Sequence, residues 1–312
     1  MNMQDSSHWA DQHERGHRVF LLLTTWMVRW LPAGVMRVCT WFVVLYFYAT
    51  APNQRRYIAC YQARLRAAFP QAPLPKRWPV LRQFVAFGQA IADRFAVWQR
   101  KIRYEDLVLH DPDNIYAEVS QYGQRGQIFV CSHVGNIDIC RALVSHHHGF
   151  KLNVLVHSRH AEAFNRALTA AGADEIQLIQ VTDLDAALMM ELNRRLDEGE
   201  WIAIAADRTP VRGEKTVTVD FLGGKADMPQ GAWLLAGLLK TKIHTLFCIW
   251  EQGRYQLKLR HFADASDWKR GERTAAVAAA AQAYADRLAE ECAQAPLQWF
   301  NFYDFWKDDS HG

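Results

Sequence analysis

From Gln127 to Arg260, short apolar runs alternate with stretches of helical periodicity, and few folds accommodate that alternation. The apolar runs are 127–132 (QIFVCS), 152–157 (LNVLVH), 176–181 (IQLIQV), 201–206 (WIAIAA), 243–250 (IHTLFCIW) and 255–260 (YQLKLR). Helical patterns cover 137–147, 161–171 before Gly172, 183–198 before Gly199, 230–240, and an alanine-rich 274–292 that stops near Pro296. In 183–198, Leu184, Leu188, Leu192 and Leu196 recur every four residues and form one helix face. Strand–helix alternation implies an α/β protein with a mostly parallel central sheet flanked by helices.

The N-terminal third has a different character. Residues 1–18 form a polar tail with no signal-peptide pattern. Residues 19–51 are apolar, interrupted by Arg29, Pro32 and Arg37, and rich in Trp and Tyr. The uncharged run 38–51 is short of the roughly 20 residues a spanning helix needs. Pro32-Ala33-Gly34 marks a turn, so 19–51 reads as a helical hairpin lying in a membrane interface, with one tilted span or two buried core helices as alternatives. Residues 52–110 read as a basic helical region. Counted from residue 51, this stretch holds eleven Lys/Arg against Asp93, Glu105 and Asp106, a net of +8, suited to an anionic membrane surface or an acidic carrier protein. Residues 111–312 form the α/β domain, and 52–312 reads as one structural unit.

Several chemistries lack their residues. The six cysteines have no C-x-x-C pair and no zinc-ligand spacing, and they read as reduced core residues. There is no G-x-S-x-G, no G-x-G-x-x-G and no phosphate-binding G-x-x-x-x-G-K-[ST], so no cofactor and no metal is expected. The aromatics of the basic third sit in its apolar run rather than among the arginines, which argues against nucleic acid.

The segment that carries chemistry is Ser132-His133-Val134-Gly135-Asn136-Ile137-Asp138, at the carboxyl end of the first strand of the domain. Open α/β sheets place their sites at that edge. A tight turn through Gly135 and Asn136 would return Asp138 to the imidazole of His133, fixing its tautomer while the other ring nitrogen takes a proton from an acceptor. The spacing alone equally allows a satisfied histidine at a helix start followed by an ordinary first-turn acid. Arg159 and Asp207-Arg208 lie just past two other strand ends, where Arg159 could meet a phosphate.

His-x-x-x-x-Asp after an apolar strand resembles the signature of the lysophospholipid acyltransferase superfamily. More of the chain resembles its branch of late (lauroyl/myristoyl) lipid A acyltransferases. The similar blocks run in order from Arg55-Arg56 and Ala68-Phe69-Pro70 through Val156-His157-Ser158-Arg159 to Asp207-Arg208. They continue through Phe221-Leu222-Gly223-Gly224 and Met228-Pro229-Gln230-Gly231 to the Pro296-x-x-Trp299 ending. The likeness implies a glycerol-phosphate-acyltransferase-like fold and transfer of an acyl chain from acyl carrier protein or acyl-CoA to a hydroxyl or amine of a lipid-like acceptor. It implies His133 as general base, Asp138 as its orienting acid, backbone N–H groups at Gly135 and Asn136 for the oxyanion, and acceptor contacts at Asp207 and Arg208. It places the protein at the cytoplasmic face of a bacterial inner membrane, peripheral or single-span. Asn301, Tyr303, Asp304 and Phe305 stand where the family usually has Trp, His and Arg, which points to a divergent member with another headgroup or an unusual acyl chain. Two other functions fit the same residues: a catalytically silent membrane-bound scaffold of a lipid or polyketide pathway, and a thioester hydrolase that activates water.

Overall fold

The computed structural model describes residues 33–98, 100–119, 121, 123–146, 149–156, 176–180, 185–208 and 216–306. Three helices lead: α1 (Ala33–Thr50), α2 (Pro52–Ala68) and α3 (Pro79–Trp98). Then follow β1 (Leu107–His110), α4 (Ile115–Val119), β2 (Ile128–Gly135), a 3₁₀ turn at Ile137–Ile139, and α5 (Cys140–His146). After these come β3 (Leu152–Val156), β4 (Ile176–Gln180), α6 (Ala186–Asp197) and β5 (Trp201–Ala205). The chain closes with β6 (Thr216–Phe221), β7 (Gly224–Pro229), α7 (Gly231–Leu239), β8 (Lys242–Glu251), β9 (Arg254–Asp264) and α8 (Arg273–Gln294).

Seven strands form one sheet in the order β1-β9-β8-β2-β5-β3-β4. Every pairing is parallel except β8–β9. Those two strands are joined by Gln252-Gly253, both at positive φ, as a two-residue hairpin requires. The six expected strands all form. β2 runs three residues further than expected, through His133 to Gly135. Alternate residues of β2 feed opposite cores. Ile128, Val130 and Val134 face Tyr61, Leu192, Trp233, Tyr284 and Trp299; Phe129 and Cys131 face Val97, Ile115, Leu143 and Phe150. This is the two-sided burial that the near-continuous apolar runs required.

Two expectations need adjustment, and one sequence block gains its place. β1 lies inside the stretch read as basic and helical, and pairs with β9 at the sheet edge. The Phe221–Gly224 block forms the turn of a separate β6–β7 hairpin. Phe221 and Leu222 are buried there, and Phe221 packs on Trp299 and Trp306. Of the expected N-terminal hairpin, the second arm is α1; the first arm, like the expected helix 161–171, lies outside the described residues.

α1 packs antiparallel on α3 across Gly88. A Cβ there would come within 2.6 Å of Val44 Cγ2, so the small residue sets the helix spacing. A buried relay ties α2 and α3 to the C-terminal segment: Gln62 Nε2 donates to Gln83 Oε1 at 2.8 Å, and Gln83 Nε2 donates to the Trp299 carbonyl at 2.7 Å. Gln83→Ala leaves two buried groups unpaired and is expected to cost about 1–3 kcal/mol, read as a lower urea midpoint at unchanged m-value.

Candidate active site

The extended run of β2 decides which carboxylate meets His133. β2 and β5 are parallel neighbours in register, with Cys131 opposite Ala205. Two residues further along, His133 comes level with Asp207. His133 Nδ1 lies 2.8 Å from Asp207 Oδ1, and the His133 backbone N–H donates to Asp207 Oδ2 at 2.9 Å. Asp207 is fully buried, while the His133 side chain keeps 31% of its surface exposed. With Nδ1–H on the carboxylate, Nε2 is the ring nitrogen left for chemistry.

The C-terminal segment completes the cradle. It pairs with the end of β2 through a Val134–Trp299 bridge, with Phe300 N–H on the His133 carbonyl at 2.9 Å and Gly135 N–H on the Gln298 carbonyl at 2.8 Å. Trp299 Nε1 and Asn301 Nδ2 donate to Asp207 Oδ2 at 3.1 and 3.0 Å. Burial alone would raise the Asp207 carboxyl, but the His133 imidazole and backbone N–H, and then the Arg208 guanidinium, hold it below the usual carboxylate range. Burial, and then the nearby Arg208 guanidinium, push the His133 imidazole below its ordinary value. The pair is therefore a neutral imidazole on an ionised carboxylate at neutral pH.

Asp138 does not take the orienting position expected of it. β2 runs on to Gly135 with a register shift after Cys131, and Asn136 is extended before the 3₁₀ turn, so the chain does not fold back after the histidine. That carries Asp138 to α3, where its Oδ2 pairs with Arg94 Nε at 2.6 Å and its Oδ1 lies 3.6 Å from Arg141 Nε. The N–H groups of Gly135 and Asn136 are not available to an oxyanion either. Gly135 N–H is held by Gln298, and Asn136 N–H donates to the Cys248 carbonyl at 2.7 Å. Gly135 is instead a packing and conformational requirement: it sits at φ +72°, and a Cβ would lie 1.9 Å from the Cys248 carbonyl oxygen. The Asn136 side chain is also committed, Nδ2 donating to the Ala90 carbonyl at 2.8 Å.

Arg208 lies beside the histidine, as its influence on His133 requires, and braces the C-terminal segment. Its Nε donates to Asn301 Oδ1 at 2.7 Å and its Nη2 to the Phe300 carbonyl at 3.0 Å. Arg159 lies outside the described residues. Among the described residues no group of three or more His, Cys, Asp or Glu could hold a metal ion. Sequence reasoning missed Arg94, Trp299 and Asn301 as members of this site. Asn301 was visible as a departure from the family ending, and it is the residue that ties Asp207 to Arg208.

A family model described as bacterial lipid A biosynthesis acyltransferase matches residues 8–308. The chain belongs to that family. It is accordingly an acyltransferase. A comparison with curated proteins finds none that matches. In this acyltransferase Asp207→Asn would put an amide where Nδ1–H and three further donors need an acceptor. Wrong-tautomer changes of this kind cost about 10⁴ in kcat in a comparable His–Asp pair. A kcat loss of at least about 10³ with little change in KM is expected from steady-state kinetics.

Proposed function

We propose that this chain is a membrane-associated acyltransferase in which His133 is the general base and Asp207 its positioning carboxylate. It moves an acyl chain from acyl carrier protein or acyl-CoA to a hydroxyl or amine of a lipid-like acceptor. The observation that carries the reading is the 2.8 Å bond from His133 Nδ1 to a fully buried Asp207, on a histidine that is itself partly exposed. Nε2 takes the proton as the acceptor oxygen or nitrogen attacks the thioester carbonyl. The C–S bond breaks as the tetrahedral oxyanion collapses, and the thiolate leaves with the proton that Nε2 returns. Asp207 keeps the ring oriented and stabilises the transient imidazolium. No protein nucleophile is needed.

Membrane association is supported by α1. Its exposed apolar residues Val35, Val38, Trp41, Phe42, Leu45 and Tyr46 fall within about 140° of the helix circumference. Arg55 and Arg56 follow at the start of α2, and Lys76, Arg77 and an exposed Trp78 stand just before α3. Among the described residues no helix is long and apolar enough to cross a membrane. An apolar helix with one face packed on α3, the other exposed, and a basic flank fits attachment in the plane of the interface, at the cytoplasmic face of the inner membrane, where acyl carrier protein is available.

The test is acyl transfer by purified full-length protein in detergent. Radiolabelled acyl carrier protein or acyl-CoA is offered with total bacterial lipid extract, wild type beside His133→Ala. Labelled lipid formed by wild type and lost in a folded His133→Ala supports the reading. Full transfer by His133→Ala refutes it, label released only as free acid indicates a hydrolase, and no turnover from folded protein indicates a scaffold. The lowered imidazole pKa sets the pH dependence. The base is active when unprotonated, so kcat/KM should be level above about pH 6.5, the ordinary histidine value, and fall only at lower pH as the ring protonates.

A further inference from the structure

We propose that the Ser132 hydroxyl and the Tyr284 phenol position the general base: they hold the chain on both sides of His133 and so set where its ring stands against Asp207. The inference rests on His133 being the base. It adds two positioning residues, one inside the catalytic segment and one from α8. Neither is a hydrogen-bond partner of Asp207 or of the imidazole.

β2 does not reach the histidine as a regular strand. Cys131 stands opposite Leu246 of β8 and Gly135 opposite Cys248, so Ser132, His133 and Val134 together oppose Phe247 alone. Two residues are inserted, an even number, so the alternation of faces survives: Val130 and Val134 both belong to the core that Tyr284 enters. Such an insertion re-aims a side chain and takes backbone groups out of the ladder. The His133 N–H goes to Asp207, and its carbonyl accepts from Phe300 N–H. The Val134 N–H goes to Ser132 Oγ at 3.1 Å, and both residues are buried. The hydroxyl thus closes a short loop of chain that spans the histidine.

Tyr284 fixes the near side of that loop. It is fully buried, its ring stacks on Phe247, the residue opposite the insertion, and its hydroxyl donates to the Cys131 carbonyl at 2.7 Å. The Ser132 side chain is near enough to the phenol to bear on its titration. The phenol's bond is not needed to satisfy that carbonyl, which already accepts from the Ala206 N–H at 3.0 Å. Packing does not call for the hydroxyl either, since the ring's other aromatic neighbours are Trp233 and Phe262. What the second donor adds is direction, because it fixes the last regular residue of β2 from the α8 side. The His133 ring is 31% exposed and is held by a single bond, Nδ1 to Asp207, so the place of Nε2 depends on the backbone beneath it. A misplacement of about 1 Å at a reacting group costs about a hundredfold in rate.

Full-length wild type, Ser132→Ala, Ser132→Thr, Tyr284→Phe and His133→Ala are compared in two ways. The first is steady-state acyl transfer, with rates expressed per folded molecule. Ser132→Ala and Tyr284→Phe should each lose about tenfold to a hundredfold in kcat with KM unchanged, and Ser132→Thr, which keeps the hydroxyl, should stay close to wild type. The second is proton NMR of protein carrying isotope-labelled histidine, with the His133 Nδ1–H signal assigned by its absence from His133→Ala. That signal should persist in Ser132→Thr and be lost to exchange with water in Ser132→Ala and Tyr284→Phe. Wild-type kcat per folded molecule in either Ser132→Ala or Tyr284→Phe overturns the proposal. So does a loss that Ser132→Thr fails to restore, or one that appears only in KM. The NMR signal needs no turnover. If His133→Ala keeps full transfer activity, the base assignment fails, and an unchanged signal in Ser132→Ala and Tyr284→Phe separately overturns the claim that these hydroxyls hold the ring.

Discussion

The buried Asp207 carboxylate is the constraint around which this end of the molecule is arranged. A carboxylate without solvent must have its lone pairs filled, and an unpaired buried charge costs several kcal/mol. Asp207 has four donors from three places: the ring and backbone of His133, the Trp299 indole, and the Asn301 amide. Those places belong to the end of β2 and to the C-terminal segment, which are over 160 residues apart in the chain. Satisfying one carboxylate thus fixes the histidine's rotamer and tautomer and docks the chain end against the sheet. The docked segment continues outward through the Gln83–Gln62 relay to α3 and α2, so the leading helices are referenced to the same carboxylate.

How much of this was legible in the sequence depends on how local each contact is. β2, β3, β5 and β8 were readable because each is a run buried largely on both faces, β4 and β9 because they are short runs bearing apolar residues, and α6 because its leucines repeat every four residues and Asp185 caps it through the Leu188 N–H at 2.8 Å. β1 was not, because four residues, LVLH, inside a stretch dominated by charge carry too little pattern. The histidine's position at a strand end was legible, but its partner was not. A partner five residues away looked natural given Gly135 and Asn136. Those residues instead serve an extended crossing beside β8, where Gly135 admits the Cys248 carbonyl and Asn136 N–H binds it. The true neighbour of His133 is set by the lateral order and register of parallel strands, which single-chain periodicity does not encode. The matching clue was that Asp207 follows WIAIAA as His133 follows IFVCS.

The basic stretch divides on closer view into two populations. Arg55, Arg56, Lys76, Arg77 and Arg82 lie on the N-terminal helices and the loop between them, largely exposed beside the apolar face of α1, and fit the role of meeting anionic lipid. Arg94 is drawn toward the catalytic turn by Asp138. The count of charges in residues 51–110 could not separate these, since the separation depends on which α3 face meets the 3₁₀ turn. Asp93, next in sequence, turns to the sheet instead and accepts from the Tyr255 hydroxyl at 2.6 Å. Adjacent residues on α3 therefore face different neighbours, one securing the helix to β9 and the other reaching the histidine's surroundings.

This division explains why an acidic residue follows the histidine even though it does not orient it. Arg94, Arg141 and Arg208 converge on a small region near a partly exposed imidazole, and like charges at such range repel strongly where water is scarce. Asp138 sits between Arg94 and Arg141 and offsets that repulsion, and Asp207 does the same for Arg208. Removing Asp138 would take away the carboxylate that Arg94 and Arg141 share, and would raise the positive potential at His133. The imidazole would then be harder to protonate in the transition state, where it must carry the acceptor's proton. A loss of activity on changing Asp138 is thus expected from this geometry without any bond between Asp138 and His133, through the balance of charge around the base.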